Sequence, residues 1–290
     1  MTRVACIGEA MIELSMQGTT AQVGVAGDTL NTAIYLKRAA RDVSVDYVTC
    51  LGDDPFSEQI RAFIGAQGIG CAAIRTIEGK SPGLYAITTT DAGERSFTYW
   101  RSASAARDLF QADGGYDFDL LAGYDLIYLS GITMAILPHA VRLALIDWLA
   151  DTPVRFAYDS NYRPKLWEDR QTAQEVTQAL WARADIALPS IDDEMALFEE
   201  TEADVAARFA AYPGGGALKR GETGPLSLAD PVDQTYTPAT RVVDTTAAGD
   251  SFNGGYLGAL VQGKPQAEAL RAGHDCAARV VQHRGAIIPE

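Results

Sequence analysis

Short apolar runs and helix-patterned segments alternate along almost the whole chain, and that alternation restricts the fold more than any single motif. Val4-Ala-Cys-Ile-Gly8 is an unbroken apolar run closed by glycine, as in a strand buried on both faces. Asp28 to Arg41 follows with helical spacing of Leu30, Ala33, Ile34 and Leu36, then a strand over Val45 to Cys50 and a helix over Asp54 to Gln67. Further strands are expected at Asp125–Ser130, Val154–Asp159, Ile186–Pro189, Ala217–Lys219 and Leu226–Leu228. Helices are expected at Pro138–Ala150, Thr172–Ala184, Asp192–Glu200, Ser251–Val261 and Gln266–Gln282. Strands separated by helices make a mostly parallel sheet covered on both faces, with ligands at the carboxyl ends of the strands. The 290 residues form one such domain.

One stretch breaks the rhythm. Gly83 to Thr90, a turn at Asp91 to Glu94, and Arg95 to Arg101 read as a β-hairpin, with extended chain from Glu13 to Val25 beside it. These segments, about 13–25 and 83–102, form a small sheet projecting from the domain. By the strand period of two, Phe97, Tyr99 and Arg101 share one face within the second strand, as do Tyr85 and Ile87 within the first. Two tyrosines and an arginine on one face read as a cover over a polar ligand; a dimer contact or a plain amphipathic hairpin is the competing reading.

A formal net charge of -14, with no dense Lys/Arg block, argues against nucleic acid and anionic membrane surfaces as partners. No apolar run reaches the roughly 18 residues needed to cross a bilayer, and the N-terminus enters a strand at once. The four cysteines are scattered, as in a reduced, cytoplasmic setting. The three histidines lack metal-ligand spacing.

The chemistry concentrates in Asp244-Thr-Thr-Ala-Ala-Gly-Asp-Ser-Phe-Asn-Gly-Gly-Tyr256. Ala247, Ala248 and Gly249 expose backbone amides at the start of a helix, which is an anion site. Asp250 beside it is either a helix N-cap or a base that takes a proton from a hydroxyl during phosphoryl transfer. Four weaker features accompany it. Gly27-Asp28-Thr-Leu-Asn31 opens the first helix with hydroxyl-binding groups, and Asp159-Ser-Asn161-Tyr-Arg163 falls at the ligand edge of the sheet. Lys219-Arg-Gly221-Glu-Thr-Gly224 is a cationic glycine-bearing loop suited to phosphate. Ser190 and Glu194 share a strand-to-helix junction, where Glu194 could hold Mg²⁺ through water.

In this order the features resemble the ribokinase/PfkB family of sugar kinases over essentially the whole chain. Gly27-Asp-Thr-Leu-Asn-Thr32, Asn161-Tyr-Arg-Pro-Lys-Leu-Trp167, Asp244 to Ser251 and Arg284-Gly-Ala-Ile-Ile-Pro289 resemble the branch acting on 2-keto-3-deoxygluconate. The resemblance implies a three-layer α/β/α sandwich with a β-sheet lid that commonly forms a dimer interface. It also implies transfer of the ATP γ-phosphoryl group to the C6 hydroxyl of that sugar acid. Asp250 then matches the general base, and Ala247, Ala248 and Gly249 the anion hole. Gly27, Asp28, Asn31, Tyr85, Tyr99, Arg101 and Arg163 match the sugar pocket. Asn161, Ser190, Lys219, Gly221 and Gly224 match the nucleotide site. Some members bind a monovalent cation near the loop carrying Asp244 and Thr246.

The residues themselves favour an acid sugar, because Arg101 and Arg163 can each pair with a carboxylate; pairing with protein carboxylates is the alternative. A neutral-sugar kinase and a non-catalytic sugar-acid sensor remain as other readings. A dinucleotide-binding dehydrogenase fails, since Gly8 to Glu13 lacks the glycine spacing for a pyrophosphate. Two positions depart from the family pattern. Ala247 stands where many members carry Gly, so a backbone compatible with alanine is expected there. Ser190 stands where Asn is common.

Overall fold

The computed structural model describes residues 1–89, 95–228 and 230–289, so the expected turn at 91–94 lies outside the described residues. The chain opens with β1 (Arg3–Ile7), β2 (Met11–Gln17), β3 (Thr20–Ala26) and α1 (Asp28–Ala39). Next come β4 (Ser44–Leu51), α2 (Pro55–Ala66), β5 (Ile74–Thr76), β6 (Gly83–Thr89) and β7 (Arg95–Trp100). After a minor hairpin of β8 (Gln111–Ala112) and β9 (Gly115–Tyr116) follow β10 (Leu126–Ser130), α3 (Gly131–Ile136) and α4 (His139–Asp151). Then come β11 (Arg155–Asp159), α5 (Arg170–Arg183), β12 (Ile186–Ala187), α6 (Ile191–Phe198) and α7 (Glu202–Ala210). β13 (Gly215–Leu218), β14 (Leu226–Leu228), α8 (Ala248–Val261) and α9 (Gln266–Val280) complete the chain.

The main sheet has eight strands in the order β14-β13-β12-β11-β10-β1-β4-β5. All neighbours are parallel except β13 and β14. Alternate residues of β1 enter different cores. Ala5 and Ile7 join the cluster built with α3, α4, α5 and α7, while Val4 and Cys6 join the one built with α1, α2, α8 and α9. The result is the expected three-layer sandwich, and burial on both faces explains why β1 reads as a continuous apolar run.

Local chemistry sets the helix starts. Asp54 accepts from the Phe56 and Ser57 amides with Pro55 at the first helical position, and Asp169 accepts from the Thr172 amide. Thr201 and Asp204 form a capping box that starts α7, a helix absent from the sequence reading.

The break in the rhythm is a four-stranded mixed sheet, β3-β2-β6-β7, in which β2 and β6 run parallel. β6 and β7 pair antiparallel, setting Tyr85 opposite Tyr99 and Ile87 opposite Phe97. The rings of Tyr85, Phe97 and Tyr99 meet on one face with centroids 5.5 to 6.4 Å apart.

Candidate active site

The parallel strands end on one edge, and the polar residues collect there. Glu9 follows β1, Ser130 closes β10, Asp159 closes β11, Ser190 follows β12 and Lys219 follows β13. α1 and α8 complete the site because they lie unusually close together. A Cβ on Gly254 would fall 2.5 Å from Tyr35 Cβ, and one on Gly258 would fall 2.6 Å from Ala39 Cβ, so only glycine permits this approach. That packing brings the first turns of the two helices face to face. Asn31 Nδ2 donates to Asp250 Oδ2 at 2.9 Å, and Thr32 Oγ1 donates to the Asp250 carbonyl at 3.2 Å.

Asp250 is not the helix cap. α8 starts three residues earlier than the periodicity implied, with Ala247 as its N-cap and no side-chain cap, so Asp250 sits in the first turn. Ala248 N–H closes a turn onto Thr245 carbonyl at 3.1 Å, which leaves Gly249 as the better donor of the expected trio. The expected alanine-compatible backbone at position 247 is not what the turn adopts: Ala247 has φ 61° and ψ 19°. A Cβ in the left-handed region costs about 1–2 kcal/mol, less the extra chain entropy that glycine would bring. Ala247→Gly is therefore expected to raise unfolding free energy by about 0.5–1 kcal/mol in chemical denaturation. A loss of stability would show the turn to be unstrained.

Four carboxylates crowd this edge. Asp28 accepts from the Ser130 hydroxyl and from Asn161 Nδ2, the latter at 2.8 Å. Asp159 is 2% exposed, pairing with Lys219 Nζ at 2.9 Å and accepting from Asn253 Nδ2 at 2.6 Å. Burial raises the carboxyls of Asp28 and Glu9 above the usual range. Asp250, first through burial and then through the charge of Asp28, is pushed up to about 8. Lys219 is the opposing cation. It reaches the first turn of α8, its Nζ 3.6 Å from where a Cβ on Gly249 would stand.

The other expected residues are placed as follows. Gly27 caps α1, and its carbonyl accepts from the Asn31 amide at 2.8 Å. Tyr85 is buried, with its hydroxyl donating to Glu13. Arg101 is joined to the buried carboxylate of Glu9. Arg163 is half-exposed, and its polar partners are Asp193, at 3.2 Å, and the carbonyl of Tyr162. Asn161 stands between the two sides: its Nδ2 donates to Asp28, and its amide donates at 3.2 Å to Asp159 Oδ1, the oxygen paired with Lys219. Ser190 bridges to Lys219 across neighbouring strands, and Lys219 N–H donates to the Pro189 carbonyl at 2.8 Å. Gly221 and Gly224 take positive φ, and the space beside Gly224 is filled by the Tyr236 ring, which accounts for that glycine by packing.

Glu194 departs from expectation. Its side chain is fully buried and paired with Arg208 at 3.0 Å, and burial raises it to about 7. Asp193, one residue earlier, is the carboxylate that senses Lys219 and Asp159. A one-residue step on a helix turns a side chain by roughly 100°, which sequence spacing alone did not resolve. Asp244 accepts from the Thr246 amide and hydroxyl and from the Gly285 amide, tying this loop to the C-terminal segment. Sequence reasoning missed Glu9, Glu13 and Ser130 as partners, since their contacts join distant segments.

A sheet edge carrying an uncapped helix start, a carboxylate and a lysine is the arrangement of a phosphoryl-transfer enzyme. A model of the pfkB family of carbohydrate kinases matches residues 1–290, and the chain belongs to that family. It is 39% identical over 302 residues to a 2-dehydro-3-deoxygluconokinase of Dickeya dadantii, covering 99% of this chain and 96% of that protein. It is 38% identical over 301 residues to one of Escherichia coli, covering 99% and 97%. In fold it is similar to the crystal structure of 2-dehydro-3-deoxygluconokinase from Thermotoga maritima, with a TM-score of 0.81 at 21% identity over 99% of this chain and 96% of that one. A Vibrio cholerae fructokinase bound to fructose, ADP and calcium gives 0.80 at 20% identity, over 99% and 94%.

Proposed function

We propose that the protein phosphorylates 2-keto-3-deoxygluconate at its C6 hydroxyl with ATP, giving 2-keto-3-deoxy-6-phosphogluconate. The carrying observation is the Asp250 carboxylate, held by Asn31 in the open first turn of α8 with Lys219 beside the same turn. The names of the relatives supply the substrate. Asp250 takes the hydroxyl proton, while the Gly249 amide and Lys219 steady charge on the transferring phosphoryl group. Asp28, Asn31, Tyr85 and Asn161 line the sugar side, and Ser190 and Lys219 the phosphate side.

Among the described residues no group of three or more His, Cys, Asp or Glu is placed to hold a metal directly. That fits Mg²⁺ carried on nucleotide phosphates, with Asp193 rather than Glu194 as the carboxylate for its water shell. Bound there, the ion would neutralise phosphate charge. No helix among the described residues is long and apolar enough to cross a membrane. The donor ATP fits a cytoplasmic setting, and exposed Phe97, Tyr99 and Trp100 suit the small sheet to a second copy of the chain.

One observation favours a neutral sugar instead: both candidate arginines already have carboxylate partners, Glu9 and Asp193. Arg101→Ala and Arg163→Ala decide between the readings. A charge-assisted bond contributes about 1.5–3 kcal/mol, so each variant is expected to raise KM for the sugar acid by roughly tenfold to a hundredfold. KM for fructose should stay within about threefold, and equal losses on both sugars would exclude carboxylate recognition.

A further inference from the structure

The kinase reading gives Arg101 a part in the sugar pocket but leaves its buried partner at the foot of the small sheet, Glu9, without a role. Glu9 follows β1 and is 1% exposed, and its Oε2 accepts from Nη2 of Arg101, the residue after β7. The Arg101 side chain is 9% exposed. The backbone fits tightly around Glu9: a Cβ on Gly83 would lie 2.5 Å from its Oε1, and one on Gly27 2.3 Å from its carbonyl oxygen. Gly83 thus lies close beside the carboxylate, and Gly27 beside the Glu9 backbone.

The pair is only half satisfied. Arg101 Nε and Asn31 Oδ1 are buried without hydrogen-bond partners, while the Ser104 hydroxyl lies against the Glu9 carboxylate. A carboxylate and a guanidinium commonly close a two-bond fork, yet here a single bond joins them and the Nε edge of the guanidinium stays open. An unpaired buried polar atom costs about 1–3 kcal/mol, so both together mark a place prepared for a ligand or for water. Asp28 is close enough to interact electrostatically with both Glu9 and Arg101, and the Tyr99 ring lies 6.0 Å from the guanidinium. Were Glu9 to withdraw, Asp28 would become the competing anchor for Arg101.

We propose that Glu9 is a positioning residue for sugar-acid recognition. From the rigid end of β1 it grips Arg101 by Nη2, leaving the Nε edge to meet acceptor groups of the substrate. The proposal rests on the ketodeoxygluconate reading and deepens it. Because Glu9 acts through Arg101, its effect belongs in KM for the acid sugar rather than in kcat.

Two conservative variants separate placement from charge. Glu9→Asp keeps the charge but draws it back by one methylene, whereas Glu9→Gln keeps the reach and an acceptor for Nη2. Glu9→Asp is expected to raise KM for 2-keto-3-deoxygluconate by about tenfold, with kcat and KM for ATP within about twofold. Glu9→Gln should stay within about threefold. In an Arg101→Gln background Glu9→Asp should add no further loss, because the group it positions is gone. Wild-type KM in Glu9→Asp overturns the proposal, as does an equal loss on fructose or equal damage from Glu9→Gln. If Arg101→Gln fails to distinguish acid from neutral sugar, the substrate reading itself falls. If it distinguishes them while Glu9→Asp does not, only the role of Glu9 falls.

Discussion

Asp250→Asn is expected to lower kcat by about three orders of magnitude, within the ~10²–10⁴-fold range of a positioned general base. The amide keeps the size of the carboxylate and can still accept from Asn31, so the loss reports chemistry rather than collapse. ATP affinity measured by calorimetry should change little. Stability supplies a control with a definite sign. Burial and Asp28 raise the folded-state pKa of Asp250 to about 8, above the ~3.9 of a free aspartate. This group therefore favours the folded state most below the unfolded value, and that contribution fades as pH rises through the folded one. Removing the ionisable carboxyl should leave the variant at least as stable as wild type at pH 8. The same pKa predicts that kcat/KM of wild type rises with pH through about 8, because the base must be deprotonated. Asp28→Asn removes a repelling charge and should move that rise to lower pH. Near-normal turnover in Asp250→Asn would end the assignment.

Most of the layered fold was legible because its signals are local. The unbroken apolar run of β1 and the helical spacing of α1 each carry their own periodicity. The α7 helix was also legible in principle, since its capping box is written in Thr201 and Asp204. Its omission reflects an unread signal. The site was legible in its residue types and much less so in its pairings. Asn31 and Asp250 meet across 219 positions, and Arg101 meets Glu9 across 92. The first depends on how closely α8 lies on α1, a property of Gly254 and Gly258 that periodicity does not express, and the second on how the small sheet folds back onto the end of β1. Glu194 shows the complementary failure: spacing placed it on the right helix, while rotation about that helix buried it against Arg208. The positive φ of Ala247 is also tertiary in origin, because a residue's backbone region is imposed by the turn it must close.

Lys219→Met is expected to lower kcat by about 10²–10³-fold, the scale for removing one donor from a developing anion. The methionine retains much of the apolar stem while deleting the charge beside Gly249. Read alone the result is ambiguous, because Lys219 also neutralises Asp159, which is 2% exposed. Breaking a buried pair from one side costs about 3–5 kcal/mol, so the single variant should also lose thermal stability. The remaining bonds to Asp159 from Asn253 Nδ2 and the Asn161 amide soften that loss without replacing a cation. Adding Asp159→Asn removes the stranded charge, and the double variant is expected to recover most of the stability. Turnover should stay low in the double variant, since the phosphoryl group still lacks its cation. If turnover returns together with stability, Lys219 serves only to hold Asp159, and the charge on the transferring group must be met from elsewhere.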